Sequence, residues 1–505
     1  MTALTRRTVL AGATTLPLLA RAATRTPGVL RFGLSTYPPT LAPWANAGTA
    51  AGTAQYLMNR GLLGYDGDGK MAGEMAETWS RDGDAWVFKL RDATWQNGKT
   101  LESGHIKWNF EQIAAEKSTA YMRRQCQEIA AIETPDARTL RLVMKSPNAT
   151  FPFSLATYFM PMVYPESVGR ETPQGIGAGP FVLKNAERGV GLDFEAYPKY
   201  YKPGLPKLKG VRLTAYADEN LRVAALQSGD LDLIEYVPWQ SMQAIEADPR
   251  LVLRTTQGPF MYLVFNGKAG PLADKRVRQA VAHAIRRDDV VKAAFFGRGA
   301  PLAGVPIDPH SPYFDQPLSA GQAYDPAKSK ALLAEAGFPN GFSTSLLSTA
   351  TYGMHKDTAE IVQQSLAAVG VQVELRLPDW STRVTQGIRG QYDMGVMGSG
   401  AESNDPDGVS NVVDGDLSNS YERSINLPTP AIHELLAKGR AEFDQAKRRA
   451  IYDQMQKDVL DDANFVGIAW RAQGYAFSKD LHGFQNLPGA LTFFSGTTLD
   501  GAELV

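Results

Sequence analysis

GPFMYLVFNGKAGPLADKRVRQAVAHAIRRDDVVKAAFFGRGAPLAG, residues 258–304, is the stretch on which the reading of this chain turns. Its apolar run, 260–265, is long enough for a buried strand and breaks at Asn266-Gly267, a turn signal. Asp274 can cap the helix that follows, on which Val277, Val281, Ala284 and Ile285 recur at helical spacing and form one apolar stripe. The opposite face carries Lys275, Arg276, Arg278 and Arg286, a pattern read as solvated charge. Asp288 opens a second helix that ends before Gly297.

Working outward, strand and helix signals alternate on both sides of this stretch. Residues 29–33 read as a first strand, Trp86, Phe88 and Leu90 alternate with Val87, Lys89 and Arg91, and Leu140, Leu142 and Met144 repeat that period. Residues 181–197 read as a hairpin around Arg188-Gly189. Strand 211–216, a helix capped by Asp218 and stopped by Gly229, and strand 231–237 form the strand–helix–strand unit of a parallel sheet. A similar unit returns with helix 357–369, strand 371–377 and strand 392–397, before a long helix through Ile451, Met455 and Val459 and a strand at 465–470. Such alternation implies an α/β protein.

Composition narrows the function. Lys plus Arg number 52 against 53 Asp plus Glu, so no net charge is available to attract nucleic acid. Cys126 is the only cysteine, which excludes an intrachain disulfide, and it reads as a small core residue on a helix at 120–131. The six histidines form no H-x-x-x-H pair and no G-x-S-x-G elbow is present, so the chain reads as a non-enzyme without metal or cofactor. Gly98-Lys99-Thr100 lacks the upstream glycine of a phosphate loop, and Gly177-Ala178-Gly179 runs into Pro180 and a strand, not a helix.

Five motifs carry a family resemblance. Asn266, Pro271, Leu272, Asp274, Arg276, Val277, Arg278, Gln279, Ala280, Val281, Ala284, Ile285, Arg287, Val290 and Val291 resemble the signature of the peptide-type extracellular solute-binding proteins, family 5. These are the extracytoplasmic receptors of ABC importers. Met75-Ala76-Glu77-Thr78-Trp79, Asp82-Gly83, Phe88, Leu90-Arg91, Trp95, Asn97-Gly98, Leu101, His105 and Ile106 resemble its second signature, with Ala93 and His105 where the family has Gly and Asp. Gly177 to Leu183 and the segments beginning at Tyr200 and Tyr324 resemble further family patterns, so the likeness spans nearly the whole mature chain.

The resemblance implies a two-lobed periplasmic binding protein fold (class II, cluster C type) with an extra subdomain in the N-terminal lobe. Its expected divisions are 1–22 as signal peptide, 23–43, 178–258 and 472–505 as lobe I, 44–177 as the extra subdomain, and 259–471 as lobe II, with two strands near 258–265 and 470–477 joining the lobes. It implies ligand contacts as well. Glu402, three residues before Asp405-Pro406, matches the offset of the family's acidic anchor for a ligand amine, and Asp405 shapes the turn. Trp380 stands where some dipeptide receptors place a stacking tryptophan, Tyr37 lies in the loop after the first strand, and Tyr236 and Trp239 follow the family's A-L-x-S-G-D-L-D motif. Dipeptide receptors place a carboxylate-binding arginine in the loop before the helix at Asp357. Residues 348–355 hold none, which leaves Tyr352 and His355 as neutral contacts and resembles the glutathione-binding members.

The N-terminus is read as an export signal. Arg6-Arg7 precedes a mildly apolar segment and the small-x-small site Ala20-Arg21-Ala22, resembling a twin-arginine leader; a general secretory leader is the alternative. No cysteine follows for lipidation, and no later apolar run reaches the ~20 residues that span a bilayer. The expectation is therefore a monomeric periplasmic receptor that hands a peptide-like or glutathione-like solute to a membrane permease and its ATPase. An opine, an oligosaccharide or chelated nickel are the other cargoes of the same scaffold, and a periplasmic chaperone is the alternative function.

Overall fold

The computed structural model describes residues 26–169 and 172–505. The arginine pair and the cleavage site of the expected leader lie outside them. A sheet of eleven strands runs through both lobes. From one edge its order is Gln372–Arg376, Ser343–Leu347, Met394–Ser399, Leu251–Phe265, Val466–Ser478, Leu233–Ile234, Val29–Leu34, Gly210–Ala215, Gly191–Ala196 and Phe181–Glu187, and Gly299–Pro301 pairs beside Val466–Ser478.

Each outer half contains a parallel unit. In lobe II, Ser343–Leu347 and Gln372–Arg376 are parallel and are joined by helix Gly353–Ala367. In lobe I, Gly210–Ala215, helix Glu219–Ser228 and Leu233–Ile234 form the expected crossover, with Val29–Leu34 inserted between the two strands and parallel to both. Asp218 caps that helix through the backbone N–H groups of Asn220 and Leu221, and Gly229 ends it in the left-handed region.

Leu251–Phe265 and Val466–Ser478 cross from one lobe to the other as an antiparallel pair, longer than expected at the lobe I end of the first strand and at the lobe II end of the second. Phe260 to Phe265 are buried on both faces, with Phe260, Tyr262 and Val264 in one core and Met261, Leu263 and Phe265 in another. This is the period-two alternation of a strand covered on both sides. The pairing slips between Gln257 and Phe260, where Gly258 and Pro259 interrupt the ladder. Proline has no N–H to donate there.

Helix Lys275–Ala284 begins at Asp274, which accepts from the Arg276 N–H, and buries Val277 and Val281. One part of the charged-face reading is corrected. Arg278 is 4% exposed and donates to the carbonyls of Asp462, Leu272 and Ala273, tying the helix to the C-terminal end of the long helix Gln445–Asp462. A guanidinium has enough donors to satisfy several carbonyls, so its charge does not require solvent.

The extra subdomain is a four-stranded antiparallel sheet of Ala76–Asp82, Ala85–Leu90, Thr139–Met144 and Ile129–Asp136, covered by helix Ser103–Ala114. The helix expected at 120–131 is only Arg123–Gln127, because Ile129–Asp136 is recruited as a strand by Thr139–Met144. Cys126 is buried on that short helix, its thiol 3.9 Å from the Met160 sulfur. Strand 231–237 likewise shortens to Leu233–Ile234. No helix among the described residues is long and apolar enough to cross a membrane.

The interruption in the crossing ladder is tightly packed. A β-carbon on Gly258 would lie 2.0 Å from the carbonyl oxygen of Gly489, whose own N–H donates to Thr256 Oγ1. Gly258→Ala is expected to lower the urea midpoint, at a cost of about 1–3 kcal/mol typical of overpacking. Gly104→Ala, a helical position with open space around its missing β-carbon, is expected to leave stability unchanged or raise it.

Candidate ligand cleft

Lobe II brings four aromatic rings to the end of Met394–Ser399. Asp379 caps helix Trp380–Ile388 through the Thr382 N–H, which fixes Trp380 at its first turn. Trp380 stands edge-on to Tyr352 at 5.3 Å, to His355 at 5.6 Å and to Tyr421 at 6.0 Å. Tyr352 is 43% exposed at the rim, whereas His355, in the first turn of Gly353–Ala367, is 2% exposed. His355 hydrogen-bonds the Val396 carbonyl, and its Nδ1 has no partner. Burial, reinforced by the charges of Arg383 and Arg471, pushes its pKa down to about 3, so the ring is neutral.

Lobe I supplies the opposing wall. Tyr236 stacks on Phe493 with ring centres 6.0 Å apart and shares a hydrogen bond with Thr49 Oγ1 at 3.3 Å. Its φ is 48°, a left-handed conformation that a bulky residue adopts only when its surroundings impose it. Arg222 imposes it by donating to the carbonyls of Tyr216, Glu235 and Tyr236. Phe493 also reaches lobe II. A β-carbon on Gly400 would sit 3.1 Å from its ring, and one on Gly398 would sit 2.9 Å from Met261 Sδ and 3.3 Å from His355 Nε2. Small residues at the end of this strand therefore let the walls approach closely.

The extra subdomain closes the third side. Tyr121 donates to Glu402 Oε1 at 2.9 Å, and a cavity of about 400 Å³ opens beside Glu402, lined by Arg124, Asn148, Asp407 and Arg440 among others. Burial, with a contribution from Glu422, holds the Glu402 carboxyl above the usual range against the opposing effect of the Tyr121 hydrogen bond. Asp405 forms a two-pronged ion pair with Arg448 at 2.7 and 2.8 Å and caps the turn through the Asp407 N–H.

Glu402, Trp380, Tyr236, Tyr352 and His355 thus line the junction of the two lobes and the subdomain, in two groups. Tyr37 packs against the lobe I core, and Trp239 donates its indole N–H to the Ala472 carbonyl at 2.8 Å while meeting Phe295 edge-on. Asp414, Asp416 and His433 bring ligand-type atoms within 4.8 Å of one another. Both oxygens of Asp414 are already engaged there, by the Asp416 N–H and by His433 Nδ1.

Residues 70–420 match the sequence model of the bacterial extracellular solute-binding proteins, family 5, middle region. The chain belongs to that family, and it is a solute-binding receptor. Among solved structures of similar fold, the binding protein AgaA of A. tumefaciens R10, in complex with agropinic acid, is 37% identical with a TM-score of 0.85 over 94% of this chain and 99% of its own. The glutathione-binding protein GsiB of Pectobacterium atrosepticum is 28% identical over 460 residues, 87% of this chain and 88% of the relative. GsiB of Shigella dysenteriae is 26% identical over 487 residues, 92% of each chain.

Sequence reading passed over five residues of this family member's cleft: Tyr121, Arg383, Tyr421, Arg471 and Phe493. Arg471 alone left a trace, as the one charge in the apolar run 465–472. The others reach the cleft only by chain crossing, as when Arg383 lies between the Trp380 and Tyr421 rings at 5.5 and 5.7 Å.

The buried His355 makes stability pH-dependent. Its folded pKa is below the ordinary value near 6.5, so the unfolded chain binds the proton more readily between about pH 6.5 and 3. The stabilisation is complete above pH 6.5 and is lost as pH falls through that window. Denaturation of the wild type and of His355→Gln at several pH values checks this: the difference in unfolding free energy between them is expected to shift steadily against the wild type on acidification.

Proposed function

We propose that this receptor serves an ABC importer in the periplasm, capturing a peptide-like, amino-acid-derived solute between two lobes that close on it and delivering it to the membrane permease. The observation that carries this reading is the aromatic cleft at the lobe junction, with Glu402 at one end held by Tyr121 from the extra subdomain. Flat apolar walls with a few convergent polar groups suit a small organic solute, and a poorly solvated carboxylate gains most from a cationic partner such as a ligand amine. The lobe boundaries we propose follow the crossing strands, with 259–471 as lobe II, 23–43, 178–258 and 472–505 as lobe I, and 44–177 as its subdomain. The chain acts as a monomer exported with a cleaved leader, and the solute is released to the permease when the lobes swing apart about the crossing strands.

Two cargo chemistries fit. Glutathione and related peptides follow from the glutathione-binding relatives and from the arginine-free loop at 348–355. An opine is favoured by the higher identity, 37%, to a protein solved with agropinic acid.

The test is a thermal-shift and calorimetric screen of residues 23–505, refolded to remove retained ligand, against di- and tripeptides, glutathione, agropinic acid, oligosaccharides and nickel chelates. A true ligand at 100 times its Kd stabilises the protein by about 2.7 kcal/mol. Peptides or agropinic acid are the expected hits. Saturable binding only to oligosaccharide or nickel chelate would reject the amino-acid-derived class, and binding only to unfolded chains would transfer the protein to the chaperone class. In the same assay Glu402→Gln is expected to weaken an amine-bearing hit at least tenfold, and unchanged affinity would remove Glu402 as the amine anchor.

A further inference from the structure

Arg471 is the side chain in the cleft that the receptor reading leaves unexplained. It lies on the crossing strand Val466–Ser478 between Trp470, paired with Phe260, and Ala472, paired with Gln257, which sets it opposite the Gly258-Pro259 interruption. Its side chain leaves the strand on the same face as Ala469, whose partner across the ladder is Met261. Met261 also pairs with Gly398, and the space above Gly398 is bounded by His355. On the lobe I side, the Val237 N–H bonds the Gly474 carbonyl, which brings Tyr236 beside the same strand. The guanidinium therefore sits at the floor of the cleft between Tyr236 and His355, both of which feel its charge.

Arg471 is 4% exposed, yet among the described residues its Nε has no partner and its side-chain hydrogen bond is one long contact from Nη1 to Gln473 Oε1 at 3.3 Å. No carboxylate pairs with it among the described residues. Other buried arginines in this protein are engaged differently. Arg448 has Asp405, Arg278 has three backbone carbonyls, and Arg287 reaches the carbonyls of Leu302, Gly467 and Ala282. A guanidinium removed from water without an anion is strongly disfavoured, and its rigid fork matches a carboxylate.

We propose that Arg471 is the anchor for a free carboxylate of the solute, so that the cargo is an amino-acid-derived carboxylate whose acid group lies on the hinge strand and whose amine or hydroxyl end points toward Glu402. This rests on the receptor reading and adds the polarity of the solute to it. Arg383, 1% exposed on its side of the aromatic cluster with Nε also unpartnered, is a positioning residue. It donates to the carbonyl of Val396, which His355 also hydrogen-bonds, and touches Met397 Sδ. Placing the anchor where the lobes meet gives the ligand contacts with both walls, so its charge favours the closed state over the open one.

The experiment uses wild type, Arg471→Met and Arg471→Lys, with Ala-Ala, glutathione and agropinic acid as probes, each beside its neutral carboxamide. The wild type is expected to prefer a carboxylate probe to its amide by 100-fold or more, and Arg471→Met to lose that preference while binding the amide as the wild type does. Arg471→Lys is expected to recover part of the preference. The apo Arg471→Met protein is expected to melt at or above the wild-type temperature, because an unneutralised buried charge has been removed. The anchor is overturned if Arg471→Met binds the carboxylate probe normally, if it loses carboxylate and amide equally, or if its apo form melts several degrees lower. A wild-type protein silent to every probe overturns the amino-acid-derived cargo reading and the anchor with it.

Discussion

Two antiparallel strands hold the molecule together across its lobes. Leu251–Phe265 and Val466–Ser478 pair along their length, and their side chains enter cores on both faces of the sheet. A strand buried on both faces must be apolar nearly throughout, because unpaired polar groups have no water to turn to. The ladder is broken where Gly258 and Pro259 stand, so the connection is strong within each lobe and weaker between them. Bending at that point sacrifices no ladder bond of Pro259, which has none to donate. The cleft opens along the same line, and Arg471 faces the break.

Charge in the cleft follows from what each group can find to pair with. Arg448 and Asp405 neutralise each other in lobe II, and Arg60 and Lys202 share Glu74 and Asp500 in lobe I. Near the ligand cleft that matching stops. His355 is held neutral by burial, Arg471 and Arg383 form no ion pair among the described residues, and Glu402 and Glu422 both titrate above the ordinary range because burial disfavours their charge. Separating an unpaired cation from a poorly solvated acid is costly, and a partner of complementary polarity lowers that cost.

The walls are shaped by backbone restraint as much as by side chains. Tyr236 is forced to positive φ by three carbonyls bound to Arg222, and Gly398 and Gly400 let His355 and Phe493 approach where any side chain would intrude. Arg222 sets the direction of one wall through the carbonyls of Tyr216, Glu235 and Tyr236.

Much of this was legible beforehand. Helix Lys275–Ala284 with its Asp274 cap, the Asp218-capped helix, the hairpin at Arg188-Gly189 and the α/β class follow from hydrophobic period and capping residues, which act over a few neighbouring positions, while the two lobes followed from the family resemblance. The resemblance nominated Glu402, Trp380, Tyr236, Tyr352 and His355, which the fold brings to the junction of the lobes, and Tyr37 and Trp239, which pack elsewhere. The sequence by itself determined most of the elements, because short-range pattern carries that information, and its motifs carried the resemblance that implied the family and the lobe-crossing strands. Only the tertiary structure decided that Ile129–Asp136 is a strand, that Arg278 is buried, and that Tyr121, Phe493, Arg383 and Arg471 share a cleft with Glu402. Those outcomes depend on pairing and burial between segments up to hundreds of residues apart, and neither hydropathy nor spacing along the chain encodes which distant partner a side chain will meet.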